Sequence, residues 1–248
     1  IANMPLKAEV INACPNLKYI DVAFTGVDHV ALDAAKAKGI KVSNASGYST
    51  VAVAELTIAM MLDLLRRVPQ VDAACRAGGM KAGLVGNELE GKTVALVGTG
   101  HIGHRVAELV HAFGAKVIAY NGFSHKADTE LIKYLPMKEM MEQADIVSLH
   151  CPVTDKSKGL INKETLSYMK PTAFLINEAR GPVVVSQDLA DALNSGKIAG
   201  AGIDVFENEP PLDTNHPLLH SKNTIVTPHV AFATAESMAK RAVIVFDN

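Results

Sequence analysis

Three polar side chains, Arg180, Glu209 and His229, each follow a run of apolar residues in the second half of the chain. If those runs are parallel strands, their carboxyl ends meet at one edge of a sheet, which is where open α/β sheets bind ligands. An arginine can hold a carboxylate through two parallel hydrogen bonds, and a histidine beside a glutamate can donate or remove a proton. Singly, each has an ordinary interpretation, as a surface arginine, a turn glutamate and a capping histidine. Together with the glycine-rich turn described next, they predict hydride transfer to a carbonyl acid.

A glycine-rich turn stands upstream of these residues. The segment Gly98-Thr99-Gly100-His101-Ile102-Gly103 lies between a strand predicted at 93–97 and a helix predicted at 102–113. Its first glycine permits a tight turn, its second lets the backbone approach a pyrophosphate, and its third allows close packing of helix on strand. The helix start offers free N–H groups to phosphates. We therefore predict that Gly98, Gly100, His101, Ile102 and Gly103 bind the pyrophosphate of a dinucleotide.

The position that selects between NAD and NADP holds a neutral residue. A site for NAD commonly has an Asp or Glu about 20 residues after the turn, which accepts hydrogen bonds from the ribose hydroxyls. This chain has Asn121 there, followed by Ser124, His125 and Lys126. Asparagine can bind a hydroxyl but does not repel a 2′-phosphate, and the other three could approach such a phosphate or form a solvated loop. The sequence predicts NAD, with NADP left open.

The chain alternates short β-branched runs with helical patterns, which is typical of a parallel sheet flanked by helices. The runs are apolar on both faces, as expected when helices cover both sides of the sheet. Strands are predicted at 17–22, 41–43, 93–97, 116–120, 145–149, 173–177, 200–205 and 224–227. Helices are predicted from Thr50, a candidate cap, through about Arg67, and at 102–113, 138–143, 163–169 and 186–194, the last with Ser186 as its N-cap and Gly196 beyond its end. In the first of these, Leu56, Met60, Leu64 and Val68 recur at four-residue spacing, and Met60-Met61 suits either core filling or a partner surface.

Composition excludes several other classes of function. The 248 residues carry a net charge of −2, which provides no basic surface for a nucleic acid. No apolar run approaches the ~20 residues of a membrane span, and the first residues do not resemble a signal peptide. Three widely spaced cysteines suit reduced thiols in a cytoplasmic protein. His101 and His104 have no evident third ligand, so no metal is expected.

An ordered series of motifs along the chain resembles the D-isomer-specific 2-hydroxyacid dehydrogenase family. The similarity runs from Asn3 to about Asn248. Besides the glycine turn, the matching blocks are Phe24–Asp28, Val53–Glu55, His150–Thr154, Asn177–Gly181, Asp204–Pro210 and Thr227–His229.

This resemblance implies a role for each polar residue. Arg180 would bind the substrate carboxylate and 2-oxygen, His229 would exchange a proton with that oxygen, and Glu209 would orient His229 and favour its protonated form. Pro152, Ala179 and Asp204 would lie against the cofactor. Gly26 and Val27 would offer backbone N–H groups to the carboxylate, and Tyr48 would line the substrate pocket. The family also implies a homodimer that packs around the helix of Met60 and Met61.

The resemblance further implies a Rossmann doubly wound parallel sheet with a second, incomplete flavodoxin-like substrate domain. The expected limits are 1–46 for part of the substrate domain, 47–230 for the dinucleotide-binding domain and 231–248 for the start of a return to the first. Since only two strands fall in the first segment, we expect the chain to be a truncated piece of a longer enzyme.

The expected activity is hydride transfer between a nicotinamide cofactor and a small D-2-hydroxy acid or 2-keto acid. The family also contains corepressors that use the fold as a nucleotide-sensing scaffold, which is the alternative interpretation. The substrate stays open among glycerate, lactate, phosphoglycerate and longer acids. The lack of basic residues near Gly47–Thr50 disfavours a phosphorylated one.

Overall fold

The computed structural model describes residues 4–120, 122–123 and 125–248. They form two compact units: one comprises the described residues up to Ala52 together with Phe232–Asn248, and the other is Val53–Ala231. The sequence-based limits at 46/47 and 230/231 remain a prediction. Within the described residues, no helix is both long and apolar enough to cross a membrane.

The larger unit is built on a sheet of seven parallel strands in the order β5-β4-β3-β6-β7-β8-β9. The strand that precedes the glycine turn, β3, lies inside the sheet between β4 and β6, so that Val94 faces Val117 on one side and Ile146 on the other. This arrangement confirms the predicted doubly wound α/β fold. The strands are β3 (Thr93–Val97), β4 (Lys116–Tyr120), β5 (Lys133–Leu135), β6 (Ile146–Leu149), β7 (Phe174–Asn177), β8 (Gly200–Ile203) and β9 (Thr224–Val226).

Helices cover both faces of this sheet, which explains why its strands are apolar at odd and even positions. Val94 and Leu96 of β3 pack in one cluster with Met60 of α3, whereas Ala95 and Val97 pack in a second. The helices of this unit are α3 (Thr50–Arg66, which begins in the smaller unit), α4 (Val68–Arg76), α5 (His101–Ala112), α6 (Met137–Gln143), α7 (Lys163–Tyr168) and α8 (Ser186–Asn194), with 3₁₀ turns at Gly181–Val183 and Pro217–His220.

The smaller unit contains a two-stranded parallel sheet of β1 (Tyr19–Val22) and β2 (Lys41–Asn44). Its helices are α1 (Ala8–Ala13), α2 (Leu32–Ala37) and α9 (Ala235–Asp247). Ile11, Ile20 and Val22 are among the residues of its core. This is the part that the sequence predicts as an incomplete flavodoxin-like domain.

Three expectations about helix caps and packing are wrong. Thr50 is the first residue of α3 rather than its cap. Ser186 is the first residue of α8 rather than its cap, because its hydroxyl hydrogen-bonds to Glu207 instead of to the helix. The helix from Thr50 ends at Arg66, within one residue of its predicted end, because Arg67 adopts a left-handed conformation with φ 55°. Val68 therefore begins α4 and is 45% exposed, so it does not continue the apolar row of α3. Met60 and Met61 are buried, which confirms core filling.

Candidate active site

The glycine turn has the backbone geometry that its sequence predicts. Gly98 has φ 106°, and a Cβ on it would lie 2.6 Å from the carbonyl oxygen of His150. A Cβ on Gly103 would overlap the carbonyl oxygen of Gly98, so this glycine is what lets α5 start so close to β3. By contrast, a Cβ on Gly100 would have no atom within 4 Å, because open space lies in front of it. Two of these glycines are therefore needed for packing, and the third faces open space.

That open space fits the pyrophosphate of a dinucleotide. Gly100 is the N-cap of α5, and the amide of His104 makes the first helical bond, to the Gly100 carbonyl. The preceding amides of the first turn have no intrahelical acceptor, so they are available to an anion. His101 is exposed and Ile102 is half-buried beside them. The residues present can thus hold the phosphates of a nicotinamide dinucleotide.

A lysine reaches the same turn from the loop after β4. The ammonium of Lys126 donates to the carbonyl of Thr99 at 2.9 Å and to its hydroxyl at 3.0 Å, and that hydroxyl lies 2.9 Å from the Tyr134 hydroxyl. Lys126 therefore adds a positive charge at the phosphate turn. The neighbouring Asn121 and Ser124, which the sequence analysis considered for the ribose, lie outside the described residues.

Arg180 lies on a short loop whose shape is fixed by its neighbours. The buried Asn177 side chain donates to the Arg180 carbonyl at 3.0 Å and accepts from the Ala179 amide at 3.1 Å. A Cβ on Gly181 would overlap the backbone of Phe206, so the residue after Arg180 must be glycine for β7 and β8 to end side by side. These contacts place the half-buried Arg180 at the carboxyl edge of the sheet.

His229 and Glu209 meet at the same edge. Nδ1 of His229 lies 2.7 Å from Oε1 of Glu209, with the histidine side chain 41% exposed and that of the glutamate 17% exposed. The expected contact between them is therefore present, although the catalytic role of each remains a prediction. His229 has φ 54°, a conformation that few non-glycine residues adopt.

Asp204 holds the backbone around His229. Its carboxylate is fully buried and accepts hydrogen bonds from the Thr227 hydroxyl at 2.6 Å and from the amides of Val230 and Ala231 at 2.8 and 2.9 Å. Its carbonyl accepts from the His229 amide at 2.7 Å. Sequence reasoning placed Asp204 only against the nicotinamide and missed this role. Contact with the cofactor remains a prediction.

A buried acid that the sequence analysis did not single out lies two residues before Arg180. Glu178 is 7% exposed, and its Oε2 lies 2.6 Å from the Thr57 hydroxyl of α3. Burial raises the pKa of Glu178 to about 8; the Asp204 carboxylate adds to this effect, and the hydrogen bond with Thr57 opposes it. The one sequence signal is a charged residue between the end of an otherwise apolar strand and the arginine.

The loop after β8 contains a second glutamate–histidine pair that was also missed. Nε2 of His216 lies 2.9 Å from Oε2 of Glu207, and the His216 ring packs edge-on against Phe206. Burial acts to raise the pKa of Glu207, but hydrogen bonds from Ser186 and His216 outweigh it and lower the pKa. The hydrogen bond from Ser186 to Glu207 ties this loop, which also carries Glu209, to α8.

The remaining predicted contacts divide between the two units. In the larger unit, Pro152 is exposed after β6 and Ala179 is half-buried. In the smaller unit, Gly26 and Val27 are half-buried, whereas Tyr48 is only 4% exposed, with its ring packed on Phe232. Their roles toward substrate and cofactor remain predictions.

Other titratable groups near the turn are not poised for chemistry. Burial raises the pKa of the Cys151 thiol to about 11, so it is not a nucleophile at neutral pH. Burial also lowers the pKa of His150 to about 4, so this imidazole is neutral. No group of three or more potential metal-ligating side chains occurs among residues 4–120, 122–123 and 125–248.

Comparison with known proteins decides the family. Residues 58–231 match the model of the D-isomer specific 2-hydroxyacid dehydrogenase, NAD binding domain. The chain belongs to the D-isomer specific 2-hydroxyacid dehydrogenase family. The match spans the glycine turn, Arg180, Glu209 and His229, so all of these lie within its NAD binding domain.

Relatives of this family cover nearly the whole chain. The hydroxypyruvate reductase of Blautia hydrogenotrophica is 36% identical, over 98% of this chain and 78% of its own length. The glyoxylate reductase of Thermofilum pendens is 40% identical, over 98% and 74% respectively. The structure of D-lactate dehydrogenase from Aquifex aeolicus, complexed with NAD and lactic acid, superposes with a TM-score of 0.91 at 34% identity, over 98% of this chain and 78% of that one. The family member described here is accordingly an oxidoreductase that transfers hydride between a nicotinamide cofactor and a 2-hydroxy or 2-keto acid.

Proposed function

We propose that this chain reduces a small, unphosphorylated 2-keto acid of the hydroxypyruvate or glyoxylate type, with Arg180, Glu209 and His229 as its catalytic residues. The observation that carries the proposal is the 2.7 Å contact between Glu209 and His229 at the sheet edge that also bears the cofactor turn. The names of two relatives, a hydroxypyruvate reductase and a glyoxylate reductase, support this substrate class, whereas other relatives are named D-3-phosphoglycerate dehydrogenase. The absence of basic residues in the Gly47–Thr50 segment is what argues against a phosphorylated acid.

Substrate binding falls to Arg180. Its guanidinium can hold the planar carboxylate and the 2-oxygen together, with a fork geometry that lysine does not have. The family resemblance also assigns the backbone amides near Gly26 and Val27 to the carboxylate and Tyr48 to the side-chain pocket, and these assignments belong to the proposal.

Proton transfer falls to His229. Because Nδ1 lies against Glu209, Nε2 is the nitrogen that exchanges a proton with substrate. During reduction it donates a proton to the 2-oxygen as that oxygen gains negative charge, and during oxidation it takes the proton back. Glu209 holds the imidazole in this orientation and balances the charge of the protonated ring.

The cofactor is held by the first turn of α5, with its pyrophosphate in front of Gly100. When bound, the nicotinamide supplies or accepts the hydride. Ala179, Pro152 and Asp204 lie on the nicotinamide side. We assign NAD(H) as cofactor with NADP(H) also accepted, because Asn121 carries no charge to repel a 2′-phosphate and Lys126 adds a positive charge at the turn.

The proposal extends to assembly and location. Exposed apolar side chains occur around α4 and the segment after it, with Val68, Met80 and Val85 exposed by 45, 81 and 85%. Such a patch favours a homodimer.

All three cysteines are unpaired, and that favours a reducing, cytoplasmic setting.

A turnover assay tests the proposed function. The purified chain is mixed with NADH or NADPH and, in turn, with glyoxylate, hydroxypyruvate, pyruvate, a longer 2-keto acid and a phosphorylated one. We expect the absorbance of the reduced cofactor to fall fastest with the first two acids. If both cofactors bind and neither is consumed with any acid, the dehydrogenase proposal fails and the nucleotide-sensing scaffold replaces it.

A further inference from the structure

Glu178 makes a contact that the reaction does not require of it. Its side chain leaves the end of β7 and meets helix α3, where Oε2 lies 2.6 Å from the Thr57 hydroxyl. Its other oxygen, Oε1, is buried without a hydrogen-bond partner. Thr57 itself is fully buried. Burying an unpaired charge costs free energy, so this setting favours the neutral form of the acid.

The hydrogen bonds around Thr57 indicate where the proton lies. The Thr57 hydroxyl is 2.8 Å from the Val53 carbonyl, which can only accept, and it has a single proton to give. If that proton goes to Val53, Oε2 of Glu178 must be the donor in the second bond. The chain from Glu178 to Thr57 to Val53 is then complete, and Oε1 is left as the carbonyl oxygen of a neutral acid.

The surrounding charges favour the same state. Helix α3 presents the uncharged Thr57 to Glu178, and from the end of β8 the Asp204 carboxylate opposes a second negative charge nearby. Burial is the larger effect and acts in the same direction. Among the described residues, no hydrogen-bond donor is available to Oε1. Ionisation would therefore leave a buried carboxylate with one oxygen unsatisfied.

The position of Glu178 links this acid to substrate binding. It stands between Asn177 and Ala179, and Asn177 holds the carbonyl of Arg180 through its side chain. We propose that Glu178 is a positioning residue that works as a neutral carboxylic acid, tying the end of β7 to helix α3 through Thr57 and so fixing the loop that carries Arg180. This inference rests on the proposed function in that Arg180 is taken to bind the substrate carboxylate.

Loss of the proton should therefore weaken substrate binding rather than chemistry. An ionised Glu178 has to rearrange to reach water or a donor, and Asn177 and Arg180 move with it. In the wild type the KM for the keto acid should rise as pH increases past neutrality. In Glu178→Gln, whose amide can still donate to Thr57, it should not.

The kinetic test compares Glu178→Gln with the wild type from pH 6 to pH 9.5. At the acidic end we expect the two KM values to agree within about twofold, and at the alkaline end the wild-type KM to exceed that of the variant about tenfold, the equivalent of one lost charge-assisted hydrogen bond. Their kcat ratio should stay constant. Glu130→Gln, which removes the same charge from an exposed position, serves as the matched control and should follow the wild type. Superimposable KM profiles for wild type and Glu178→Gln would overturn the inference.

Two measurements keep the inference testable without turnover, and the first of them needs no variant. Infrared spectroscopy of the wild type should show the C=O stretch of a protonated carboxylic acid at pH 7, lost on titration to pH 9.5; a spectrum without that band at pH 7 overturns the inference. Hydrogen exchange of the peptide 174–183 should be faster in the wild type than in Glu178→Gln at alkaline pH only, and equal rates there would also contradict it. A protein that shows the band and the exchange difference but no turnover would disprove the proposed function and leave the tie between Glu178 and Thr57 intact.

Discussion

The proposed proton exchange of His229 with substrate is assigned to Nε2, because Nδ1 lies 2.7 Å from Oε1 of Glu209. The backbone of His229 is also fixed by hydrogen bonds. The carbonyl of Asp204 accepts a hydrogen bond from the His229 amide, and the Asp204 carboxylate accepts hydrogen bonds from the two amides that follow. These hydrogen bonds keep a residue with φ 54° in place. The imidazole is thus aimed by its side-chain partner and by its backbone together.

Replacing the proton donor should affect chemistry far more than binding. We expect His229→Gln to lower kcat by about 10²–10⁴-fold, the usual contribution of general acid–base catalysis. Binding of NADH, followed by quenching or enhancement of its fluorescence, should change less than about twofold, because the turn at Gly98–Gly103 is untouched. A variant that retains the wild-type kcat would show that another group supplies the proton.

The charge of Lys126 gives a second prediction at this scale. Lys126→Ala should raise the KM for NADPH about tenfold and that for NADH much less, because the extra phosphate of NADPH loses a charge-assisted contact. Steady-state kinetics with each cofactor at saturating keto acid measure this. Lys158→Ala, which removes an exposed lysine distant from the turn in sequence, is the control. Equal effects on the two cofactors would disprove selection by Lys126.

The sequence analysis identifies the residues that recur in motifs but not those whose role depends on burial. Arg180, Glu209 and His229 are evident because each is a polar side chain just beyond an apolar run. Glu178 is likewise a polar side chain just beyond an apolar run. Its role, however, depends on its contact with the buried Thr57 hydroxyl, 121 positions away in the sequence. Such a contact leaves no periodic or motif signal in a single sequence.

At the scale of elements, the turn between β3 and α5 combines a structural requirement with a binding surface. The space in front of Gly100 is open, whereas a Cβ on Gly98 or Gly103 would meet backbone atoms. A single motif thus contains two glycines needed for packing and a third that we propose the ligand requires. Substitution with alanine can separate the two.

The paired variants Gly103→Ala and Gly100→Ala should behave differently. Gly103→Ala forces a methyl group against the Gly98 carbonyl, and we expect a loss of about 2–4 kcal/mol in the free energy of unfolding. Gly100→Ala meets no protein atom and should change this free energy by less than about 0.5 kcal/mol, while weakening NADH binding at least about tenfold by filling the pyrophosphate space. Urea unfolding and cofactor titration measure the two effects. If Gly100→Ala binds NADH normally, the pyrophosphate is not in front of this residue.

Most elements follow from the sequence, and the exceptions have physical causes. The central strands are long apolar runs buried on both faces, so β3, β4 and β7 lie close to their predicted limits. Strand β5 was not predicted because it is three residues at the sheet edge, with the exposed Lys133 among them. Helix α4 was missed although Pro69 in its first turn is a helix-start signal, because the break before it is a single left-handed residue, Arg67, inside a continuous helical pattern.

At the scale of the whole molecule, the methionines of α3 differ in exposure from the apolar side chains of the segment that follows α4. Met60 and Met61 are enclosed by their own chain, whereas Met80 and Val85 are 81 and 85% exposed. If the chain dimerises as proposed, the exposed side chains of this later segment are the better candidates for the contact. Burial of large apolar groups is what drives such association.

The dimer gives a prediction that needs no substrate. Light scattering coupled to size-exclusion chromatography should yield about twice the chain mass of 26.3 kDa. Met80→Asp places a charge in the apolar segment and should shift the protein toward the single-chain mass. Met4→Asp, which changes another exposed methionine, should not. A wild type that elutes as a monomer at all accessible concentrations would remove the dimer from the account.

The most direct test of the central claim follows the hydride itself. Cofactor carrying deuterium at the transferring position of its nicotinamide is mixed with the wild type and hydroxypyruvate, and the product is analysed by mass spectrometry and chiral chromatography. The account predicts D-glycerate with a single deuterium at C2, formed much more slowly by His229→Gln. Product without deuterium, product of the L configuration, or equal rates for wild type and variant would contradict it.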